Sequence, residues 1–350
     1  MKFEVPAAAP HVPAPVSVQG VMFKVLLALV PGVAAYVFFF GPAILVQIAV
    51  ATACASGFEA LMLKARGQPL KPFLSDLSAP VTAVLFSLCL PPLLPWWATV
   101  TGMAFAIVVA KHLYGGLGFN VFNPAMVGYA VVLVAFPLEA TLWLAPAELA
   151  AESLSFGAQL KAILSGALPP PVTWDAVTQA TPLDMIRTGS TQDIMISEIR
   201  ESSLFGDFGG YGWEWIANFY ALGGLWLIYK RVMSWHAPVA VIATVVLLTF
   251  PVWLTDPDTH PFPLQHVFSG GLVLGAFFVA TDPVSGATSP RGRLLFGIGV
   301  GLLTLVIRRW GGYPDGFAFA ILLMNMAVPL IDRVTIPRAF GHARREPPEL

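Results

Sequence analysis

Two asparagines carry the clearest binding chemistry in the sequence. Asn120 and Asn123 lie three residues apart, just before Pro124 and an apolar stretch, so at the start of a helix they would project to one side. Each amide supplies a donor and an acceptor, which suits a flat heterocycle that has both kinds of edge atoms. The alternative is structural, because Asn123 followed by Pro124 is also typical of a helix N-cap.

A second pattern occurs twice: an acid, two residues, a hydroxyl residue, a spacer, then Ala-Thr. Its two copies are Asp175, Thr178, Ala180, Thr181 and Asp282, Ser285, Ala287, Thr288. The pattern makes Thr181 and Thr288 candidates for the same chemistry.

Ionisable residues inside apolar stretches are costly and usually functional. The sequence contains few of them: Glu59, Lys111, His112, Asp282, Arg308, Arg309 and Asp315. Most lie at the ends of apolar stretches, so snorkelling to the membrane interface is the simpler interpretation. Metal-ligand spacings, a Ser–His–Asp arrangement and a phosphate-binding loop are all missing from the sequence, and Cys54 and Cys89 each lie in an apolar run.

The composition shows which kind of fold must position these groups. Asp, Glu, Lys and Arg make up 11% of the 350 residues, against roughly 25% in soluble proteins, and AVILMFWYC make up 57%. So few charges cannot cover a globule of this size, which argues against a soluble enzyme, a nucleic-acid-binding protein and a disordered chain. We predict an all-α polytopic membrane protein, in contact with membrane lipid and not with nucleic acid.

About ten apolar stretches approach the roughly 17–25 residues needed to cross a bilayer. They lie near residues 21–41, 42–63, 78–93, 95–112, 124–138, 213–232, 237–255, 266–281, 292–308 and 315–331. Pro91, Pro92 and Pro95 break the third and fourth. Short, interrupted spans fit helices whose ends line a buried site.

The loops between the spans differ in charge. Lys and Arg follow the even-numbered spans, which places these loops and the tails 1–20 and 333–350 in the cytoplasm, with Arg308 and Arg309 as the exception. The long loop 139–212 holds nine acidic and three basic residues and would lie outside, in the periplasm. The prediction is a multi-pass protein of the bacterial inner membrane.

An internal repeat is indicated by Lys111-His-Leu-Tyr-Gly-Gly and Arg308-Arg-Trp-Gly-Gly. Five spans separate the two strings, and an odd number implies opposite orientations. We therefore expect two inverted repeats of about five helices, at 21–138 and 213–332, with sites near their interface.

Four strings, in order along the chain, resemble one known family. They are Gly118-Phe-Asn-Val-Phe-Asn-Pro-Ala, Gln179-Ala-Thr-Pro-Leu-Asp, Ala280-Thr-Asp-Pro-Val and Gly311-Gly-Tyr-Pro-Asp-Gly-Phe-Ala-Phe-Ala. The chain resembles, from the first span to the last, the D subunit of the Rnf complex. It resembles more distantly the B subunit of the sodium-pumping NADH:quinone reductase.

The resemblance implies covalent FMN, joined through its phosphate to a threonine by a flavin transferase that works outside the cytoplasmic membrane. Only the loop 139–212 reaches that side, so Thr181 is expected to carry FMN and Thr288 is not. Asp175, Thr178 and Ala180 would belong to the attachment motif, in which Gln179 replaces the usual glycine.

The same resemblance assigns Asn120 and Asn123 to a second, non-covalent flavin, riboflavin, with Asp282 on the same side. The implied function is electron transfer across the membrane, coupled to Na⁺ or H⁺ translocation. The chain would not be catalytic alone, because ferredoxin and NAD(H) would react at other subunits of the complex.

Two alternatives stay open from the sequence. One is the B subunit of the quinone reductase, which the shorter chain and Gln179 disfavour. The other is a solute channel of the urea-transporter type, which shares the inverted-repeat plan and would need no flavin.

Overall fold

A computed structural model of the chain describes residues 17–313 and 315–335. Within these residues the secondary structure is helical, apart from the isolated bridges Leu144–Thr178 and Phe205–Gly210. The all-α class predicted from the sequence is confirmed. The predicted tails lie outside the described residues, except for 17–20 and 333–335.

The first half of the chain contains six α-helices and one π-helical segment that continues α5. They are α1 (Val18–Phe40), α2 (Ala43–Ala65), α3 (Leu70–Leu74), α4 (Ser78–Leu88), α5 (Trp96–Ala104) with its π-helical segment Phe105–His112, and α6 (Pro124–Ala135).

The second half repeats this plan after a segment of short helices. That segment contains a 3₁₀ turn (Glu139–Thr141), α7 (Phe156–Ser165), α8 (Trp174–Val177), α9 (Pro182–Thr191) and α10 (Ile196–Ile199). The second half contains α11 (Trp213–Tyr229), α12 (His236–Thr255), α13 (Pro263–Phe268), α14 (Leu272–Leu274) with its π-helical continuation Gly275–Val279, α15 (Pro290–Trp310) and α16 (Phe317–Thr335).

Five described helices, α1, α2, α12, α15 and α16, are long and apolar enough to cross a membrane. The other predicted spans are shorter or interrupted. In the first half, α4 ends at Leu88, just before the run that contains Pro91 and Pro92, since proline cannot continue the backbone ladder. In the second half, the equivalent stretch breaks at Ser269–Gly271, between α13 and α14.

The first helices of the two halves run antiparallel against each other. The rings of Phe40 and Trp213 lie 4.5 Å apart at one end of the pair. Towards the other end the backbones almost touch, because a Cβ on Gly223 would lie 2.0 Å from the Ala28 carbonyl oxygen. This opposite direction is what an inverted repeat requires.

Equivalent helices also make equivalent contacts in each half. Helix α2 packs on α4 and α5, and α12 packs on α13 and α15. Helix α6 packs on α5, and α16 packs on α15. Helices α6 and α16 touch each other, so the last helix of each half joins the two halves.

The segment between the halves covers the end of the bundle where α1 and α12 end. Ala147 N–H donates to the Phe39 carbonyl at 2.7 Å, and Ile196 N–H donates to the Asp258 carbonyl at 2.7 Å. On its surface the Tyr211 hydroxyl donates to the Glu148 carboxylate, and this hydrogen bond raises the pKa of Tyr211. The segment is therefore folded onto the bundle, and it holds Thr181.

Candidate functional site

Thr181 lies at the edge of a pocket between the two halves. Six aromatic residues, from both halves and from the covering segment, line it: Tyr36, Tyr129, Trp143, Trp213, Tyr220 and Phe317. Pro182, Leu183, Gly270, Gly271 and Asp315 complete the side next to Thr181. We call this the Thr181 pocket.

The Thr181 hydroxyl is fixed by the start of α9. It accepts a hydrogen bond from Asp184 N–H at 3.3 Å and donates to Asp184 Oδ2 at 2.6 Å. Thr181 N–H also donates to Asp184 Oδ2 at 3.3 Å, which completes a capping box with Pro182 at the first helical position. Thr181 therefore caps a ten-residue helix whose unpaired N–H groups and dipole favour an anionic group such as a phosphate.

The other residues of the predicted attachment motif do not line this pocket. Asp175 and Ala180 are exposed, and the Thr178 hydroxyl donates to the Trp174 carbonyl at 2.8 Å. Thr178 also pairs with Leu144 in one of the isolated bridges. These residues shape the extended segment before Thr181.

Two buried hydroxyl groups line the pocket without a hydrogen-bond partner among the described residues. They belong to Tyr36, which is 1% exposed, and Tyr220, which is 4% exposed. Buried polar groups are almost always paired, so each orphan group needs an explanation. A planar ligand with carbonyl and ring-nitrogen acceptors, between aromatic walls, would provide one.

Arg308 and Asp315 hydrogen-bond to the backbone at the helix break beside this pocket. Arg308 donates to Asp315 Oδ1 at 3.0 Å and to the carbonyls of His266 at 2.5 Å and Ser269 at 3.1 Å. Asp315 Oδ2 accepts Gly271 N–H at 2.7 Å. The pair therefore satisfies the backbone groups that the break between α13 and α14 leaves open.

A second pocket lies at the other end of the bundle, and it brings Asn120, Asn123 and Asp282 together. Lys111 and Ser78 add polar groups to its wall. Its apolar wall comes from both halves: Val21, Met22, Val25, Val81, Leu85, Leu227, Phe277 and Phe278. We call this the Asn120 pocket.

The structural role suggested for Asn123 is present as well. Asn123 Oδ1 accepts Met126 N–H at 3.3 Å and so caps α6, while Asn120 Nδ2 donates to the Phe122 carbonyl at 3.0 Å. Across the pocket, Asp282 accepts Val284 N–H at 3.2 Å and the Ser285 hydroxyl at 2.6 Å. Both sides of the pocket are thus tight polar turns.

Asn325 connects these two turns, and sequence reasoning missed it. Its Oδ1 accepts Asn123 N–H at 3.1 Å, and its Nδ2 donates to the Ser285 carbonyl at 2.9 Å. Asn325 is 1% exposed in the middle of α16. A lone asparagine in an apolar helix is the signal that could have identified it.

The expectation that the ionisable residues snorkel is wrong for Lys111 and Arg308. Lys111 Nζ lies 2.6 and 2.8 Å from the two carboxylate oxygens of Glu59, and both residues are 2% exposed. Arg308 is 8% exposed and pairs with Asp315, whereas Arg309 is exposed. Each buried cation has its own carboxylate, because an unpaired charge would be too costly there.

The two pockets follow each other along the same helices. On α1, eleven residues separate Val25 of the Asn120 pocket from Tyr36 of the Thr181 pocket, which is roughly 16 Å at 1.5 Å per residue. Between the pockets, the rings of Tyr220 and Phe278 meet edge to face at 6.3 Å. This aromatic contact therefore joins the wall of the Thr181 pocket to the wall of the Asn120 pocket.

The two candidate threonines lie at opposite ends of the bundle. Thr288 is exposed, and its N–H donates to Asp332 Oδ1 at 3.0 Å near the end of α16. Asp315 and Phe317, at the start of α16, line the Thr181 pocket. An enzyme confined to one side of a membrane would reach only one of these threonines.

Comparison with known proteins agrees with the motifs. The model of the NQR2, RnfD, RnfE family matches residues 5–341. The chain belongs to this family. A protein of Aeromonas hydrophila, named as the D subunit of an ion-translocating oxidoreductase complex, is 48% identical over 346 residues, covering 97% of this chain and 99% of the relative.

Other relatives with the same name extend this result. The protein of Ectopseudomonas mendocina is 49% identical, and the matched region covers 96% of this chain and 95% of the relative. The protein of Escherichia coli O1:K1 is 45% identical, and the matched region covers 93% of this chain and 94% of the relative. Membership of the NQR2, RnfD, RnfE family confirms the resemblance that the four sequence strings indicated.

We predict that Asn325→Leu destabilises the protein and loosens the Asn120 pocket. The change leaves Asn123 N–H and the Ser285 carbonyl unpaired, at about 1–3 kcal/mol each. Thermal unfolding of the purified protein in detergent should show a clearly lower midpoint.

The matched control is Asn218→Leu, because Asn218 is exposed on α11 and its side chain donates to the Glu214 carbonyl of its own helix. Its midpoint should stay close to that of the wild type. Equal midpoints for the two variants would contradict the role given to Asn325.

Proposed function

We propose that this chain is the D subunit of an ion-translocating oxidoreductase complex and that it carries electrons on two flavins. The observation that carries the proposal is the pocket beside Thr181, where aromatic walls surround two buried tyrosine hydroxyls that have no partner among the described residues. The names and near-complete coverage of the relatives support the assignment to such a complex.

In this proposal FMN is attached through its phosphate to Thr181 and its ring system lies in the Thr181 pocket. A bound flavin can exchange one or two electrons, which lets it connect one-electron and two-electron partners. Thr181 holds the phosphate at the start of α9, and Tyr36 and Tyr220 donate hydrogen bonds to the ring. The surrounding aromatic side chains exclude water.

The charged groups beside the Thr181 pocket are compatible with an uncharged flavin ring. The guanidinium of Arg308 is compensated by Asp315, so the helix break contributes no net charge. Arg187 of α9 is not among the residues that line the pocket. Esterification of Thr181 would remove the hydrogen bond from its hydroxyl to Asp184, so the Asp184 carboxylate would turn away and the N–H groups of α9 and solvent would balance the phosphate charge.

The Asn120 pocket suits riboflavin, which has no phosphate. Its lining cation, Lys111, is already neutralised by Glu59, so this cation offers no free positive charge to a phosphate group. Asn120 and Asn123 offer amide donors and acceptors to the ring edge, and Phe277 and Phe278 offer flat apolar contact.

The positions of the two pockets support electron transfer across the membrane. In the proposed orientation Thr181 lies on the periplasmic side of the inner membrane, where the flavin transferase acts, and both termini lie in the cytoplasm. Ferredoxin and NAD(H) would react at other subunits, and the coupled ion is Na⁺ or H⁺.

We expect Thr181→Ala to abolish covalent flavin and Thr288→Ala to leave it unchanged. The Thr181 hydroxyl is the attachment atom, whereas Thr288 is exposed at the opposite end of the bundle. The measurement is in-gel flavin fluorescence of the denatured chain, produced in cells that contain the transferase. A dark wild-type band, or fluorescence lost only in Thr288→Ala, would refute the assignment.

For the second flavin, we expect the double variant Asn120→Ala plus Asn123→Ala to lose most of the extractable non-covalent flavin. Loss of the Asn123 cap costs about 1 kcal/mol, so the protein should still fold. Extraction followed by chromatography gives the flavin content per chain, and in-gel fluorescence from Thr181 serves as the internal control. Unchanged non-covalent flavin would mean that the two asparagines only shape the turn before α6.

A further inference from the structure

A chain of hydrogen bonds leads from the segment between α3 and α4 to the Asn120 pocket. The Ser78 hydroxyl donates to Asp76 Oδ1 at 2.6 Å and accepts from Lys111 Nζ at 2.7 Å. Lys111 lines the pocket beside Asn120 and Asn123. Residues 67–73 before Asp76 are exposed, so this series of hydrogen bonds begins close to the protein surface.

The position of Lys111 is unusual for a lysine. It is 2% exposed at the end of the π-helical segment Phe105–His112, and π-helical turns occur frequently at functional sites. Its ammonium group makes three hydrogen bonds, two to Glu59 and one to Ser78. These bonds hold the Nζ atom at the junction between the surface turn and the pocket.

The backbone at the surface turn is strained. Leu77 has φ 64° and ψ 11°, in the left-handed region that non-glycine residues rarely adopt. This conformation places Asp76 and Ser78 side by side, and Asp76 Oδ1 also accepts Ser78 N–H at 2.7 Å. Backbone strain of this kind is concentrated at functional sites.

We propose that Asp76, Ser78 and Lys111 form a proton pathway that serves the ligand of the Asn120 pocket. This inference rests on the proposed function, in which that ligand is a flavin that takes up a proton when it is reduced. The electrons come from the redox partners of the complex, and the pathway itself transfers protons only.

The transfer balances atom by atom. The N–H bond of Lys111 Nζ breaks and its proton moves to a ring nitrogen of the reduced ligand. Water protonates the Asp76 carboxylate, which at rest only accepts hydrogen bonds from Ser78. The neutral amine takes the hydroxyl proton of Ser78, and Ser78 takes the new proton from Asp76, which becomes a carboxylate again. One proton has moved from water to the ligand, and all three side chains return to their starting states.

The charged and titratable groups around Lys111 fit this role. Glu59 of α2 forms an ion pair with Lys111 Nζ, and Asp282 lies across the pocket. His112 follows Lys111, and its Nε2 lies 3.7 Å from Glu59 Oε1. Both ring nitrogens of His112 lack a hydrogen-bond partner among the described residues, so His112 is not a link in this chain.

The test compares Ser78→Ala with Ser78→Thr in the intact complex. The first change removes the hydroxyl from the middle of the pathway, and the second keeps it. Stopped-flow reduction with a pH-indicator dye measures the proton uptake that accompanies bleaching of the non-covalent flavin. We expect uptake at least about tenfold slower in Ser78→Ala and close to the wild-type rate in Ser78→Thr.

A second variant tests the first residue of the pathway, and the flavin content of each variant controls for a folding defect. Asp76→Asn keeps an oxygen that can accept from Ser78 but cannot supply a proton, so uptake should be slowed here as well. Non-covalent flavin content is measured first in every variant.

The possible failures can be told apart. A wild-type complex without non-covalent flavin would overturn the proposed function, and the pathway with it. Flavin present with wild-type rates in Ser78→Ala and Asp76→Asn would overturn the pathway alone. Equally slow uptake in Ser78→Thr would also overturn it, because the hydroxyl would then not be what matters.

Discussion

The constraint on which this structure depends is that backbone polar groups freed inside a membrane must be paired within the protein. Several helices of the bundle are interrupted, and each interruption leaves N–H and carbonyl groups open. Arg308 and Asp315 satisfy the break between α13 and α14, and Asn325 satisfies the turns that contain Asn123 and Ser285. Both pockets lie at these places, where irregular backbone leaves room beside the helices.

The same constraint explains why the buried charges occur as pairs. Lys111 with Glu59 and Arg308 with Asp315 each combine a cation and a carboxylate near the ends of equivalent helices. Each pair brings its cation and carboxylate together, which suits the two uncharged ring systems proposed as ligands. In the Thr181 pocket the hydroxyls of Tyr36 and Tyr220 have no hydrogen-bond partner among the described residues, whereas the amides of Asn120 and Asn123 already take part in the turn before α6.

The architecture could largely be predicted from the sequence, because it depends on apolar stretches and their spacing. The polar turn at Asn120 and Asn123 was also visible, since its residue types are rare in an apolar context. The pairing of Lys111 with Glu59 could not be predicted, because 52 residues separate the two in the chain. Because the partner of Lys111 was not visible in the sequence, snorkelling to the membrane interface was the simpler interpretation. Tyr36 and Tyr220 look like ordinary span residues until the antiparallel packing of α1 and α11 brings both to one pocket.

The most direct test of covalent flavin attachment is mass spectrometry of the proteolysed chain from cells that contain the flavin transferase. Cleavage after Lys161 and Arg187 gives a peptide that contains Thr173, Thr178 and Thr181, whereas Thr288 falls on a different peptide. We predict that the first peptide carries one FMN and that fragment ions place it on Thr181. FMN on Thr178, on the Thr288 peptide, or on neither peptide would contradict this assignment.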